Sequence, residues 1–285
     1  MKSIAITLVA LCALVCAACD PGGVTNGESL HRGKDHYHRV YSLDSATVQN
    51  TGTLHNQALA AVRATYNFNQ IFMSTEAQAT YILSRFCGYF YQEDGWDSAS
   101  YNTPAYRSGL IAMLDRRHPA SDADAWDSLK ADATFTSNVP VAEVSLIDDA
   151  ITVFALPTTG MTSAQIAGRI IDRADSLLTI WGSTSWGPSE GEASGGFLHI
   201  MKASASYWRD NPVSTTENPN DLPPLYTLAQ VDAAGYLYGW SMAVAEEIDA
   251  NGSLSTANEG KRIRAGLRTA GAWSMGGAVR NFFGR

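Results

Sequence analysis

Thr162-Ser163-Ala164-Gln165-Ile166-Ala167-Gly168-Arg169-Ile170-Ile171-Asp172-Arg173-Ala174-Asp175-Ser176-Leu177-Leu178-Thr179-Ile180-Trp181 is the stretch that points most clearly to a fold class. Ile166, Ile170, Ala174, Leu177 and Trp181 recur at steps of three or four residues, the spacing that lines one face of an α-helix. Arg169, Asp172, Arg173 and Asp175 fall between them. Most of a helix's stability in a protein comes from packing such an apolar stripe against a neighbour. The stretch therefore predicts a body of packed helices.

The same period appears on both sides of it. Thr51 or Thr53 caps a helix that carries Leu54, Ala58, Leu59 and Val62 on one face. Ser74 or Thr75 caps the next, with Tyr81, Ile82, Phe86, Tyr89 and Phe90 inward. Thr103 to Arg117 stops ahead of Pro119. Ser121-Asp122-Ala123-Asp124 opens a short helix with acids in its first turn, where the helix dipole favours them. Val141 to Leu156 ends before Pro157, and Trp186 to Gly196 is a Gly/Ser/Glu loop before a helix from Gly196 to Trp208. Asn211 to Pro224 is a long polar connection with prolines at 212, 219, 223 and 224. A final pair spans Leu228 to Asp249 and Thr256 to Phe283, with Asn251-Gly252 closing the first and Thr256 with Glu259 capping the second. No period-two run is bounded by turn signals. The expectation is all-α: a single multi-helix domain over residues 51–285 with about nine helices.

The N-terminus carries an address. Lys2 precedes the apolar run Ile4 to Val15, and small residues Ala17 and Ala18 lead to Cys19. The run is too short for a membrane helix of ~20 residues, so residues 1–18 read as a removed signal peptide. Cys19 is then the lipidation site of a membrane-anchored lipoprotein of the bacterial cell envelope. Cys16, three positions before it, stands where an aliphatic residue is usual. Ordinary cleavage after Ala18, giving a secreted or periplasmic protein, is the alternative. Residues 19–50, rich in Gly, Thr, Ser and Asn, read as a flexible tether. The cut removes Cys12 and Cys16 and with them the C-x-x-C of residues 16–19. Only Cys19 and Cys87 remain, so no internal disulfide is expected. Cys87 follows Tyr81-Ile82-Leu83-Ser84-Arg85-Phe86 and reads as a buried small hydrophobe.

Composition bounds the partners. Loss of Lys2 with the signal takes the formal net charge from −8 to −9. An acidic body argues against nonspecific nucleic-acid binding. The basic-dense stretch is His31 to Arg39, where Arg32, Lys34 and Arg39 beside a lipid anchor would meet phosphate headgroups at ~1 kcal/mol per basic residue. His36 and His38 are weak metal candidates beside Asp35: residues i and i+2 share a side of an extended segment. Zinc needs three or four ligands, and no H-E-x-x-H or second C-x-x-C supplies the rest, so no metal and no cofactor is expected.

His55 and Asn56 are weak binding candidates within Gly52-Thr53-Leu54-His55-Asn56-Gln57-Ala58-Leu59. A structural histidine bonded to a neighbouring helix is the default reading. This G-x-x-H-N-x-x-L segment behind a lipoprotein tether, with Asp232-Ala233-Ala234-Gly235 leading to a Gly/Ala-rich C-terminal helix, resembles uncharacterised envelope lipoproteins of Bacteroidetes-like bacteria. The resemblance implies an envelope lipoprotein and transfers no catalytic residue.

Glu190, Glu192 and His199 near Trp181 and Trp186 are the weak catalytic candidates, because acids beside aromatics suit sugar binding or glycoside hydrolysis. The chain has no G-x-S-x-G, S-x-x-K or phosphate-binding glycine loop. The leading expectation is an interaction or structural module, anchored to the membrane through lipid on Cys19, with an envelope protein as possible partner. One alternative is an envelope hydrolase acting on peptidoglycan or peptide. Another is a membrane-active or self-associating protein working through the small residues Gly235, Gly239, Gly266, Ala270, Gly271, Ser274, Gly276, Gly277 and Ala278 of its C-terminal hairpin.

Overall fold

The computed structural model describes residues 47–66, 74–94, 103–115, 139–212 and 225–282. The segment read as a signal peptide, Cys19, His36 and His38, the short helix expected at Ser121 and the connection from residue 213 lie outside the described residues. Eight α-helices make up the described fold, with no strand, as one all-α domain. They are α1 Thr51–Thr65, α2 Thr75–Asp94, α3 Pro104–Asp115, α4 Val141–Ile151, α5 Ser163–Ser183, α6 Glu192–Asp210, α7 Leu225–Asn251 and α8 Glu259–Phe282. The 3-10 turns Val48–Asn50, Thr152–Ala155 and Thr256–Asn258 lead into α1, out of α4 and into α8.

Helix α5 forms where its period predicted. Thr162 is the N-cap: its hydroxyl accepts the Gln165 N–H, and the Gln165 side chain accepts the Thr162 N–H at 2.8 Å, closing a capping box. Its buried face is Ala167, Ile170, Ala174 and Leu177, turned onto α6, while Arg169, Arg173 and Asp175 stay toward solvent. Three charged side chains are thus left in water while apolar area is removed from it.

Helix α8 is buried on every side from Ala265 to Ala278, packed by α7, α1, α2, α3 and α6. Its small residues explain how. Tyr236 of α7 lies on Gly266, Phe86 of α2 lies on Gly271, and Thr269 and the Ala265 carbonyl lie against Gly239. A Cβ at any of these glycines would strike its neighbour, so glycine permits the close approach. The Gly/Ala stripe is consumed inside the chain. From Ala265 to Ala278 its small face is buried within the chain. Among the described residues, no helix is long and apolar enough to cross a membrane.

Several termini differ from the sequence reading. The fold starts before residue 51, because Val48 is 5% exposed and packs at Gly195. Neither Thr51 nor Thr53 caps α1; the 3-10 turn runs straight into it, and the Thr51 hydroxyl donates back to the Val48 carbonyl at 2.8 Å. Ser74 does cap α2, accepting the Ala77 N–H at 3.1 Å. Gly252, with φ +75°, closes α7 as its left-handed conformation requires. Ser255, rather than Thr256, accepts the first free N–H before α8, and Glu247 rather than Glu259 accepts the Ser255 N–H at 2.6 Å.

Candidate functional site

Two buried polar clusters lie where α6, α7 and α8 meet. The first gathers around Asp232. Its Oδ2 accepts the Ser204 hydroxyl at 2.5 Å, the Ser274 hydroxyl at 2.7 Å and the Trp208 indole N–H at 3.1 Å. His55 Nε2 lies 3.6 Å from the same oxygen, and both side chains are 0% exposed. Four helices therefore converge on one carboxylate: α1 through His55, α6 through Ser204 and Trp208, α7 through Asp232 itself, and α8 through Ser274. Burial pushes the Asp232 carboxyl above the usual range, against the pull of His55 and the three donors.

Helix periodicity explains how α1 reaches this cluster. Positions 52, 55, 56 and 59 share one face of a helix. Gly52 lies against the His199 carbonyl and Ala203, where a Cβ would approach the carbonyl to 2.5 Å. Asn56 donates from Nδ2 to the Ala203 carbonyl at 2.9 Å, and its Oδ1 faces His55 Nδ1 at 3.0 Å. Leu59 is fully buried in the core. The G-x-x-H-N-x-x-L segment is the docking face of α1. The second resemblance-bearing segment, Asp232 to Gly235, supplies the carboxylate that His55 meets.

The second cluster is ionic. Arg262 of α8 donates from Nε and Nη2 to the two oxygens of Glu192 at 2.8 and 2.5 Å, and from Nη1 to Glu247 at 2.5 Å and to the Ser255 carbonyl at 3.0 Å. The Trp240 indole donates to Glu192 Oε2 at 3.1 Å, and the Tyr236 hydroxyl to the Glu192 carbonyl at 3.1 Å. The planar fork of arginine suits this two-oxygen grip. Burial alone would raise Glu247, but the bonds from Asn258, Arg262 and Ser255 outweigh it and hold the carboxyl below its ordinary value. Burial also keeps the Tyr236 phenol neutral, far above its ordinary range, with Glu192 and Glu143 adding to the effect.

Glu143 of α4 completes this end of the bundle. Its carboxylate accepts the Gly191 N–H at 2.8 Å, and the Ser194 N–H and hydroxyl at 2.8 and 2.9 Å. It serves as a cap for α6 from another helix. That is why α6 starts at Glu192, earlier than the Gly196 expected from the local sequence. Burial nevertheless leaves the Glu143 carboxyl above the usual range.

The structure does not bring the three catalytic candidates to one set of partners. Glu192 is buried and turned onto Arg262 and Trp240. Glu190 is exposed and accepts the Gly187 N–H of its own turn at 2.7 Å. His199 is half-buried, edge-on to the Trp181 ring at 6.0 Å; burial and the nearby Lys202 push it below the ordinary histidine range. Trp181 and Trp186 spend their indole donors on the Gly191 and Trp181 carbonyls at 2.9 Å each. Among the described residues, no group of three or more His, Cys, Asp or Glu gathers as a metal site. Cys87 is buried as expected, and burial raises its thiol.

Sequence reasoning missed Asp232, Ser204, Ser274, Glu143 and Arg262 as core residues. One signal was present. From Leu225 to Ala245 helix α7 is apolar nearly all round, and such a stretch is buried, so Asp232, the one charged residue in it, requires internal partners. Comparison with protein-family models, with curated proteins and with solved structures finds no match to this chain.

Proposed function

We propose that the chain is a lipid-anchored helical module of the bacterial cell envelope, held through Cys19, that acts by structural or protein–protein contact. The address rests on Lys2, the apolar run from Ile4 to Val15, and Ala17-Ala18-Cys19. The observation that favours a contact role is the use made of Glu192. The acid best placed by sequence for hydrolysis is the buried partner of Arg262, with both its oxygens bonded. A carboxylate held this way joins three helices and presents no oxygen to a substrate. The function then falls to the outer surface of the bundle and to its membrane tether.

Labelling with radioactive palmitate, followed by membrane fractionation, tests the anchor. The chain is expected to carry label and sediment with membranes, and Cys19→Ala to lose both. A Cys19→Ala chain that stays membrane-bound, or an unmodified Cys19 at the mature N-terminus by mass spectrometry, overturns it. Incubation with purified peptidoglycan tests the contact role: soluble fragments released by the chain, and lost in Glu190→Gln or His199→Ala, would restore the hydrolase.

A further inference from the structure

The His55–Asp232 contact constrains where protons sit. Asn56 Nδ2 is committed to the Ala203 carbonyl, so its amide can only present Oδ1 to His55. An amide oxygen accepts and cannot donate, so His55 Nδ1 carries a hydrogen. The remaining nitrogen, Nε2, faces Asp232 Oδ2 at 3.6 Å. A bare Nε2 lone pair pointed at a carboxylate would be repelled, and the pair would bury a net negative charge. Asp232 Oδ1 receives no hydrogen bond from the described residues to offset that charge. A proton between Nε2 and the carboxylate removes both penalties at once.

The geometry points to His55 and Asp232 as a buried proton-binding pair that locks α1 onto α6, α7 and α8 and releases it as the pH rises. Other ionisable groups are placed not to substitute for the proton. On α1, Arg63 lies over the Trp208 ring at 5.3 Å and bonds to the Asn211 and Pro212 carbonyls. On α6, Tyr207 feels the Asp232 charge only at a distance, and Lys202 is bound to Asp175 at 2.6 Å. On α8, Arg268 lies over Phe90 of α2. On α7, Glu247 is bound to Arg262 beyond the far end of the cluster. The upward displacement of Asp232 by burial has the same sense: the folded carboxyl holds a proton more tightly than it does in the unfolded chain. The contact is thus strongest on the acid side and weakens as the proton leaves. Helix α1 is the first full helix after the proposed tether, so its release would lengthen that tether. The lengthening rests on the anchored reading; the proton lock does not.

Long-range ¹⁵N NMR of the histidine rings in the purified chain, with His55 assigned through His55→Gln, reads the proton directly. Hydrogen exchange across the pH range reads the lock. The expected result at neutral pH is one proton held between the two groups, on His55 Nε2 or on the Asp232 carboxyl, the latter read from the Asp232 carboxyl ¹³C shift. The protection factors of α1 amides are expected to fall about tenfold relative to α8 at alkaline pH, as local opening of one helix would give. In Asp232→Asn that differential fall should vanish. A bare Nε2 beside an ionised Asp232 at neutral pH, or α1 protection that follows α8 at every pH in the unaltered chain, overturns the inference whether or not the variant folds. Palmitate labelling reads the anchor separately, so failure of one leaves the other standing.

Discussion

Asp232 Oδ2 lies 3.6 Å from His55 Nε2, with both side chains at 0% exposure. This contact joins two segments far apart in the chain and makes α1 part of the core rather than an appendage. Removing one member leaves the other buried without its partner, and such losses cost about 3–5 kcal/mol. Asp232→Ala also strands the Ser204, Ser274 and Trp208 donors. Urea unfolding should show that loss in Asp232→Ala. A change below about 0.5 kcal/mol, the range of ordinary surface substitutions, would contradict it.

Arg262 holds two carboxylates that would otherwise repel in the core. Arg262→Ala is expected to cost about 3–5 kcal/mol, because Glu192 and Glu247 are left buried and uncompensated. Arg262→Lys should recover only part of this, since an ammonium cannot reproduce the two-oxygen grip. Thermal melts of the two variants beside the unaltered chain check the order.

Glycine at 52 and glycine at 168 should respond to alanine with opposite signs. A Cβ at Gly52 meets the His199 carbonyl and Ala203, so Gly52→Ala should cost about 1–3 kcal/mol through overpacking of α1 on α6. A Cβ at Gly168 meets nothing within 4 Å, and the residue lies inside α5, so Gly168→Ala should stabilise by about 0.5–1 kcal/mol. Melting temperatures moving in the same direction would refute this pairing.

Two buried glutamates should give stability slopes of opposite sign with pH. Glu143 is displaced upward by burial, so its contribution is complete below the unfolded carboxylate value of about 4.3 and is lost as pH rises through its folded value. Glu247 is displaced downward by its bonds to Asn258, Arg262 and Ser255 despite burial. Its contribution is present above about 4.3 and lost as pH falls through its folded value. Urea unfolding between pH 4 and 7 should find the advantage of the unaltered chain over Glu143→Gln shrinking with rising pH. Its advantage over Glu247→Gln should grow.

The helices were legible because their signal is local. The three- and four-residue spacing in residues 162–181 depends only on which side chains face the core, and α5 buries that face. The α6 start was not legible, because its cap is Glu143, which reaches Gly191 and Ser194 from another helix. His55 is a core histidine whose ring faces Asp232 of another helix at 3.6 Å; that partner was not legible, since nothing in the local sequence links residue 55 to residue 232. Glu192 was picked out for its acid and aromatic neighbours. In the fold its side chain instead meets Trp240 and Arg262, which approach it from inside the bundle. Spacing along one helix shows which residues share a face, while the partner across the core is set by how helices pair.

A double-mutant cycle on His55→Gln and Asp232→Asn, read by urea unfolding, tests most directly whether the G-x-x-H-N-x-x-L segment is a docking face built on this contact. A coupling energy of about 1 kcal/mol or more is the predicted result, within the range found for residues in one network. Additive losses, with a coupling indistinguishable from zero, would contradict it.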